Sequence, residues 1–242
     1  MRYEYKFYVH KHKIPLLRSI ITTKLKLDEN VNPEKPHYTV RSIYFDSLDL
    51  KHYYEKINSM KHRKKVRLRG YDFNPESKVF FEVKRKYEEP GMKNRFQTDY
   101  KSALAMLKSK EIDKSNDDLV KFFYQIMSFN LRPIVNVIYD REPYAERVRT
   151  QNNLRVTFDK NLRSVAYPKI DELFVDDNVK PAMLDYFILE VKLDDFLPGW
   201  IRQMSESLSL KRESASKYVI CIDNEKSIVK QSRFAYLRAQ EF

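Results

Sequence analysis

The chain has 242 residues and a formal net charge of +12, from 46 Lys and Arg against 34 Asp and Glu. That excess predicts an anionic partner, whether nucleic acid, a membrane surface or polyphosphate. Three glycines argue against glycine-rich phosphate loops and dinucleotide fingerprints, and a single cysteine, Cys221, excludes an intrachain disulfide framework and cysteine-based zinc sites. The 42% apolar residues, with 17 Tyr and 15 Phe, can fill a substantial core.

The charged start Met1-Arg2-Tyr3-Glu4-Tyr5-Lys6 does not read as a signal peptide. No apolar run approaches the roughly 20 residues of a membrane helix. The expectation is a soluble, cytoplasmic chain that reaches a membrane only through a partner protein. Cys221 is expected to be a small buried hydrophobe.

In chain order, residues 2–10 alternate as a strand, with Tyr3, Tyr5, Phe7 and Val9 opposite Glu4, Lys6 and Tyr8. Pro15 opens an amphipathic helix with Leu16, Leu17, Ile20, Ile21 and Leu25 on its stripe. A turn at 30–36 leads to a strand over 39–46, after which Ser47 or Asp49 is placed to cap a short helix to Ile57. Residues 62–71 form the most unusual strand: Lys65, Arg67 and Arg69 share one face, Val66 and Leu68 the other. An all-positive face is repulsive unless an anion lies against it. After a turn at Asn74-Pro75, a strand over 79–87 puts Glu82, Lys84 and Lys86 opposite Phe81 and Val83. Pro90-Gly91 turns the chain into a strand over 92–98 carrying Lys93 and Arg95.

Helices are expected over 101–108 and 116–129, the second with a stripe of Leu119, Phe122, Phe123, Ile126 and Met127. Strands resume over 134–145, with Val135, Val137, Tyr139 and Arg141 on one face, and over 154–160, with Arg155, Thr157 and Asp159 on one face. Residues 171–183 read as loop or short strands. Residues 187–193 form a strong strand with Ile188, Glu190 and Lys192 on one face. A helix over 197–208, a helical segment from Ser216 carrying Lys217, and a polar tail complete the chain. With no repeat and no low-complexity linker, one domain over 1–242 is expected.

This makes about eight strands, each with a charged and an apolar face. The charged faces can meet solvent as a basic sandwich exterior, or line a closed barrel whose apolar outside is covered by helices. Eight strands enclose room for side chains and one small ligand. Buried like charges need compensation, and Glu-x-Lys recurs on three strands as Glu4/Lys6, Glu82/Lys84 and Glu190/Lys192. Carboxylates that hold a hard metal, beside cations that neutralise phosphate, are what phosphate-processing chemistry requires. Arginine forks at 67, 69, 95, 141 and 155 bind phosphate oxygens bidentately. The five histidines lack metal-ligand spacing and read as surface residues, and Trp200 reads as a packing anchor. Residues 61–65 include cations on both faces, so part of that run points outward.

Arg2-x-Glu4-x-Lys6, Arg41-Ser-Ile-Tyr-Phe-Asp46, Lys65-Val-Arg67-Leu-Arg69, Phe81-Glu-Val-Lys84, Tyr139-Asp-Arg141, Arg155-Val-Thr-Phe-Asp159, Leu189-Glu-Val-Lys192 and Ser216-Lys217-Tyr218 occur in this order along nearly the whole chain. The ordered set resembles the catalytic domain of the vacuolar transporter chaperone polyphosphate polymerases, within the triphosphate tunnel metalloenzymes. The resemblance implies an α+β fold: a closed eight-stranded antiparallel β-barrel, the triphosphate tunnel, with helices packed on the outside. It implies transfer of the γ-phosphoryl group of ATP to polyphosphate with a divalent metal, Mn2+ or Mg2+. By motif, Lys6, Arg67, Arg69, Lys84, Arg141, Arg155 and Lys217 would bind phosphates, Tyr139 and Ser216 would add hydrogen bonds, and Lys93 would stand at the reacting end. The strand faces and quoted motifs add Arg41, Arg95 and Lys192 to the substrate contacts. Lys6, Arg67, Arg69, Lys84, Lys93 and Arg141 are expected to act on the transferred group.

Glu190 would hold the metal, with Glu4 and Glu82. The superfamily begins Glu-x-Glu-x-Lys, and Arg2 stands where its first Glu would be. Eukaryotic members add a phosphate-sensing domain and membrane helices, neither of which is expected here. The expected partners are ATP and polyphosphate or triphosphate, not nucleic acid. Two other readings compete: a triphosphatase using the same tunnel, and a non-catalytic polyphosphate- or nucleic-acid-binding module.

Overall fold

The structure, a computed structural model, describes residues 3–71, 76–87 and 91–229. Arg2, the turn at Asn74-Pro75, Pro90 and the polar tail lie outside the described residues. The strands are β1 (Tyr3–His10), β2 (Leu25–Leu27), β3 (Tyr38–Asp46), β4 (Arg63–Tyr71), β5 (Lys78–Lys86), β6 (Met92–Asp99), β7 (Arg132–Glu146), β8 (Arg155–Ala166), β9 (Lys180–Pro181) and β10 (Tyr186–Leu193). The helices are α1 (Ile14–Lys24), α2 (Lys51–Ile57), α3 (Tyr100–Ser109), α4 (Asp117–Ser128), α5 (Gly199–Ser207) and α6 (Lys217–Asn224).

Two compact units interleave along the chain. The first holds the described residues up to Thr39, Tyr139–Leu162 and Met183–Ser216; the second holds Val40–Ile138, Arg163–Ala182 and the described residues from Lys217 onward. In the first, β1 pairs with β10, β10 with β8, and the short β2 adds to β7, all antiparallel. Its apolar face carries Phe7, Val9, Val156, Phe158, Leu189 and Val191, packed on Leu17 and Ile21 of α1 and Ile201 and Met204 of α5. Pro15 occupies the first turn of α1, where its missing N–H costs nothing. Trp200 packs on this cluster as expected. Leu25, expected on the α1 stripe, is instead buried in β2.

In the second unit the strand order is β3-β4-β5-β6, antiparallel throughout. Ile43, Phe45, Val66, Leu68, Val79, Phe81 and Val83 face Tyr100 and Ala103 of α3 and Leu119, Phe122 and Phe123 of α4. Asn116 caps α4 by accepting from Leu119 N, and Asp117 and Asp118 fill the first turn, which favours that helix end. Met127, expected on the apolar stripe, is exposed. At α2 the cap position is Leu50 in the left-handed region, while Ser47 Oγ accepts from Lys51 N at 3.0 Å. Gly70 lies where a Cβ would meet Phe174 Cζ at 2.5 Å, so the close approach of that ring requires glycine.

The expectation of a closed barrel is overturned. The strand path β1-β10-β8-β7-β3-β4-β5-β6 is open, with β1 and β6 at its ends. The eight strands read from alternation are those of this path, but their sheet does not close. Closure is what the family resemblance implies, whereas the strand faces alone leave open a basic exterior or a barrel. The carboxylates shelter instead among their own cations, as described next.

Candidate functional site

In the second unit, the face opposite the helices carries rows of side chains set by register. Tyr44, Arg67, Glu82 and Arg95 lie opposite one another on successive strands. Ser42, Arg69, Phe80 and Gln97 form the next row, and Lys65, Lys84 and Lys93 the row on the other side. Glu82 is only 1% exposed. Its Oε2 lies 2.7 Å from Arg67 Nε and 2.6 Å from Arg67 Nη2. Its Oε1 lies 2.7 Å from Lys93 Nζ and 3.3 Å from Arg95 Nε. Arg69 Nε is 3.9 Å away and donates to Ser42 Oγ at 3.2 Å. Burial alone would raise the Glu82 carboxyl, but Arg67, Arg69 and Lys93 outweigh it and hold the group well below the usual carboxylate range. Burial lowers the Lys93 ammonium, and Glu82 only partly offsets this.

The surrounding side chains fix this arrangement. Arg67 Nη1 donates to Tyr44 OH at 2.7 Å, and Arg95 stacks 3.6 Å above the Phe80 ring. Tyr44 stacks on Tyr218 of α6 with centroids 4.7 Å apart, and the Tyr218 hydroxyl donates to the buried Asp46. Lys65 Nζ is 5.9 Å from the Tyr218 ring. Lys217 is the first residue of that helix. Burial pushes the Asp46 carboxyl up; the backbone N–H groups of Ser47, His52 and Tyr53 and the Tyr218 hydroxyl all bond to it.

In the first unit, the face opposite the helices is organised around Glu190. Lys6, Glu190 and Thr157 lie in one register row, Glu4, Lys192 and Arg155 in the next. Glu190 is 3% exposed. Its Oε2 meets Lys192 Nζ at 2.9 Å and Arg141 Nη2 at 3.2 Å, and its Oε1 lies 3.5 Å from Lys6 Nζ. Glu4 shares the same ammoniums, 3.5 Å from Lys6 and 3.3 Å from Lys192. Arg141 also grips Asp159 with two 2.7 Å bonds and lies 5.3 Å over the Tyr139 ring. Burial would lower the Arg141 guanidinium, but Asp159, Tyr139 and Glu190 raise it well above its usual value, so it stays charged. Lys6 Nζ donates to Ala215 O at 3.3 Å, next to the buried Ser216. Arg155 donates to Asp28 at 2.8 Å.

Glu4 and Glu190 offer on one face the carboxylate oxygens that a hard divalent cation takes, and Lys6 and Lys192 contact both groups. No group of three His, Cys, Asp or Glu among the described residues is arranged to hold a metal by itself. Glu82 fits less well: its oxygens face four cations, and the carboxylate serves as their counter-ion.

A family model described as the VTC domain matches residues 1–225. The chain belongs to the VTC domain family. This VTC domain is 24% identical over 251 residues to the vacuolar transporter chaperone complex subunit 4 of Schizosaccharomyces pombe, covering 84% of the chain and 34% of that relative. The chain thus spans about a third of the length of that relative. Its fold is similar to the crystal structure of a provisionally named adenylate cyclase from Bacillus halodurans, with a TM-score of 0.51 and 14% identity over 88% of this chain and 92% of that one.

Within this VTC domain, Arg67, Arg69, Lys93 and Arg95 gather on Glu82, and Lys6, Arg141 and Lys192 on Glu190. Lys84 is exposed in the outer row. Arg41 is not brought to the charged face. It alternates with Ile43 and Phe45 on the helix-packed face, where two 2.7 Å bonds tie it to Asp176. His52 is not a surface residue: it is 2% exposed with Nδ1 3.2 Å from Glu55, whereas His12 and His62 are exposed. Lys64 lies 4.7 Å over the Phe129 ring, on the face opposite Lys65. Sequence reasoning missed Ser42, Tyr44, Asp159 and Tyr218 as supports of the site. Asp159 was legible, since it stands two residues beyond Thr157 on one strand face.

Proposed function

We propose that this VTC domain is a metal-dependent phosphotransferase that moves the γ-phosphoryl group of ATP onto a growing polyphosphate chain. The observation that carries the reading is the buried Glu82 facing Arg67, Arg69, Lys93 and Arg95, which leaves the face strongly positive. Phosphoryl transfer requires positioning and neutralisation of charge on the phosphate oxygens more than covalent help from the protein. Arg67, Arg69, Lys93 and Arg95 would hold non-bridging oxygens, the outlying Lys84 would extend their field, and Lys93, with its lowered ammonium, would follow the charge as it shifts. Lys6, Arg141 and Lys192 would do the same around Glu190, with Arg155, Tyr139 and Ser216 adding phosphate contacts there, and Lys217, in the second unit, would add one on its own. A divalent ion held by Glu190 and Glu4 would supply further charge neutralisation at the phosphates. The relationship to a subunit of the vacuolar transporter chaperone complex supports a complex as the setting, and polyphosphate as the product rests on the motif resemblance given above. Among the described residues no helix is long and apolar enough to cross a membrane.

Incubation with ATP and MnCl2, followed by gel separation of products, tests this directly. Chains longer than triphosphate support the polymerase. Release of ADP and orthophosphate alone would replace it with a triphosphatase, in which water takes the place of the acceptor phosphate.

A further inference from the structure

Arg155, Thr157 and Asp159 share one face of β8. Asp159 is fully engaged by Arg141. Its two neighbours each leave a buried polar atom unmatched: Arg155 Nε and Thr157 Oγ1 have no hydrogen-bond partner among the described residues. Thr157 is 3% exposed and lies in the register row of Glu190 and Lys6. A valine would fill the same volume in this buried strand and leave no hydroxyl to satisfy, so the threonine costs stability where it stands. The arginine Nε can only donate, whereas a threonine hydroxyl donates and accepts. A ligand that satisfies both atoms on one strand face therefore presents acceptor oxygens.

We propose that Thr157 is a phosphate-contacting residue of the substrate site, its hydroxyl donating to a non-bridging oxygen of the triphosphate beside Arg155 Nε. The inference rests on the phosphate reading above and adds to it a neutral contact that no charge pattern would reveal. Such a contact reads phosphate geometry rather than charge, so it separates a correctly seated phosphate from one merely attracted to the face.

The test uses the whole chain with MnCl2 present, inorganic tripolyphosphate as the probe, calorimetry for Kd and thermal melting for stability. Thr157→Val is expected to weaken tripolyphosphate about tenfold, as for loss of a hydrogen bond to a charged group, with Tm unchanged or raised. Thr157→Ser is expected to bind within about threefold of wild type, because it keeps the hydroxyl. Equal binding by wild type and Thr157→Val overturns the proposal. So does a clear fall in the Tm of Thr157→Val, which would mean that the hydroxyl serves the fold. Should Thr157→Val fail to fold, a loss of binding in a folded Thr157→Ser overturns it instead, since the hydroxyl is then not what binds. Failure of wild-type protein to bind tripolyphosphate would refute the phosphate reading itself, a result distinct from any of these.

Discussion

Glu82→Gln tests whether one buried carboxylate holds its cationic face together. The change keeps shape and one acceptor oxygen but removes the charge that Arg67, Arg69, Lys93 and Arg95 converge upon. Removing one partner of a buried ion pair costs about 3–5 kcal/mol. Here Lys93 and Arg95 are 44% and 39% exposed, so water screens part of the new repulsion and the low end, about 3 kcal/mol, applies. For a chain of this size each kcal/mol lowers Tm by about 2–4 °C, so a fall of about 6–12 °C is expected. Tripolyphosphate restores negative charge, so its stabilising shift should be larger for the variant than for wild type. Scanning fluorimetry with and without tripolyphosphate, at low and high salt, measures both effects, and salt should narrow the difference. A Tm within about 2 °C of wild type would refute the role of Glu82 as counter-ion. A smaller ligand shift in the variant would refute phosphate binding at this face.

Other sites give sharper tests of the fold. Burial would raise the Glu142 carboxyl, but Arg18 at 2.7 Å, Lys160 at 2.6 Å and Tyr144 at 2.5 Å outweigh it and hold the group down to about 2. Its folded value is below the ordinary 4.5, so its contribution is full above pH 4.5 and is lost as pH falls toward 2; Glu142→Gln should lower Tm at neutral pH and flatten the acid limb of the Tm–pH curve. Tyr218→Phe removes the hydroxyl bond to buried Asp46 and should cost about 1–3 kcal/mol by urea melting. Gly70→Ala places a Cβ against the Phe174 ring and should cost about 1–3 kcal/mol in the same assay, with Gly199→Ala, which meets nothing within 4 Å, as its control.

Alternation made the eight long strands and both of their faces legible, because a period of two assigns every residue to a side. β2 and β9, three and two residues long, are too short to display a period. Closure was not legible, since alternation says which residues share a face and nothing about which edges meet. The error at Arg41 came from weighing a motif above parity: Ile43 and Phe45 already placed it on the apolar side. His52 was misjudged because composition assigns histidine to the surface, while its backbone N–H bonds the buried Asp46 and draws α2 inward. The clusters on Glu82 and Glu190 followed from Glu-x-Lys on three strands, although Glu82 pairs across strands with Arg67 and Lys93.

The two clusters are not equivalent, and their charge predicts different chemistry. Around Glu82, four cations face one carboxylate, a surplus of +3 to which Lys65 and Lys84 of the adjoining row add. Around Glu190, three cations (Lys6, Arg141 and Lys192) face three carboxylates (Glu4, Asp159 and Glu190), a balance of zero, and Arg155 is matched by Asp28. On the proposed reading, the first face should attract phosphate as it stands; the second should attract it only when positive charge is added, as a divalent cation would add it. Tripolyphosphate binding in EDTA should therefore depend on the Glu82 face. The pair Lys93→Ala and Arg95→Ala should weaken it by about tenfold or more. The gain in affinity on adding MnCl2 should survive in that pair and disappear in Glu190→Gln. Calorimetry with and without the metal separates the two faces. Loss of the manganese-dependent gain in the Lys93/Arg95 pair, with Glu190→Gln retaining it, would reverse the assignment.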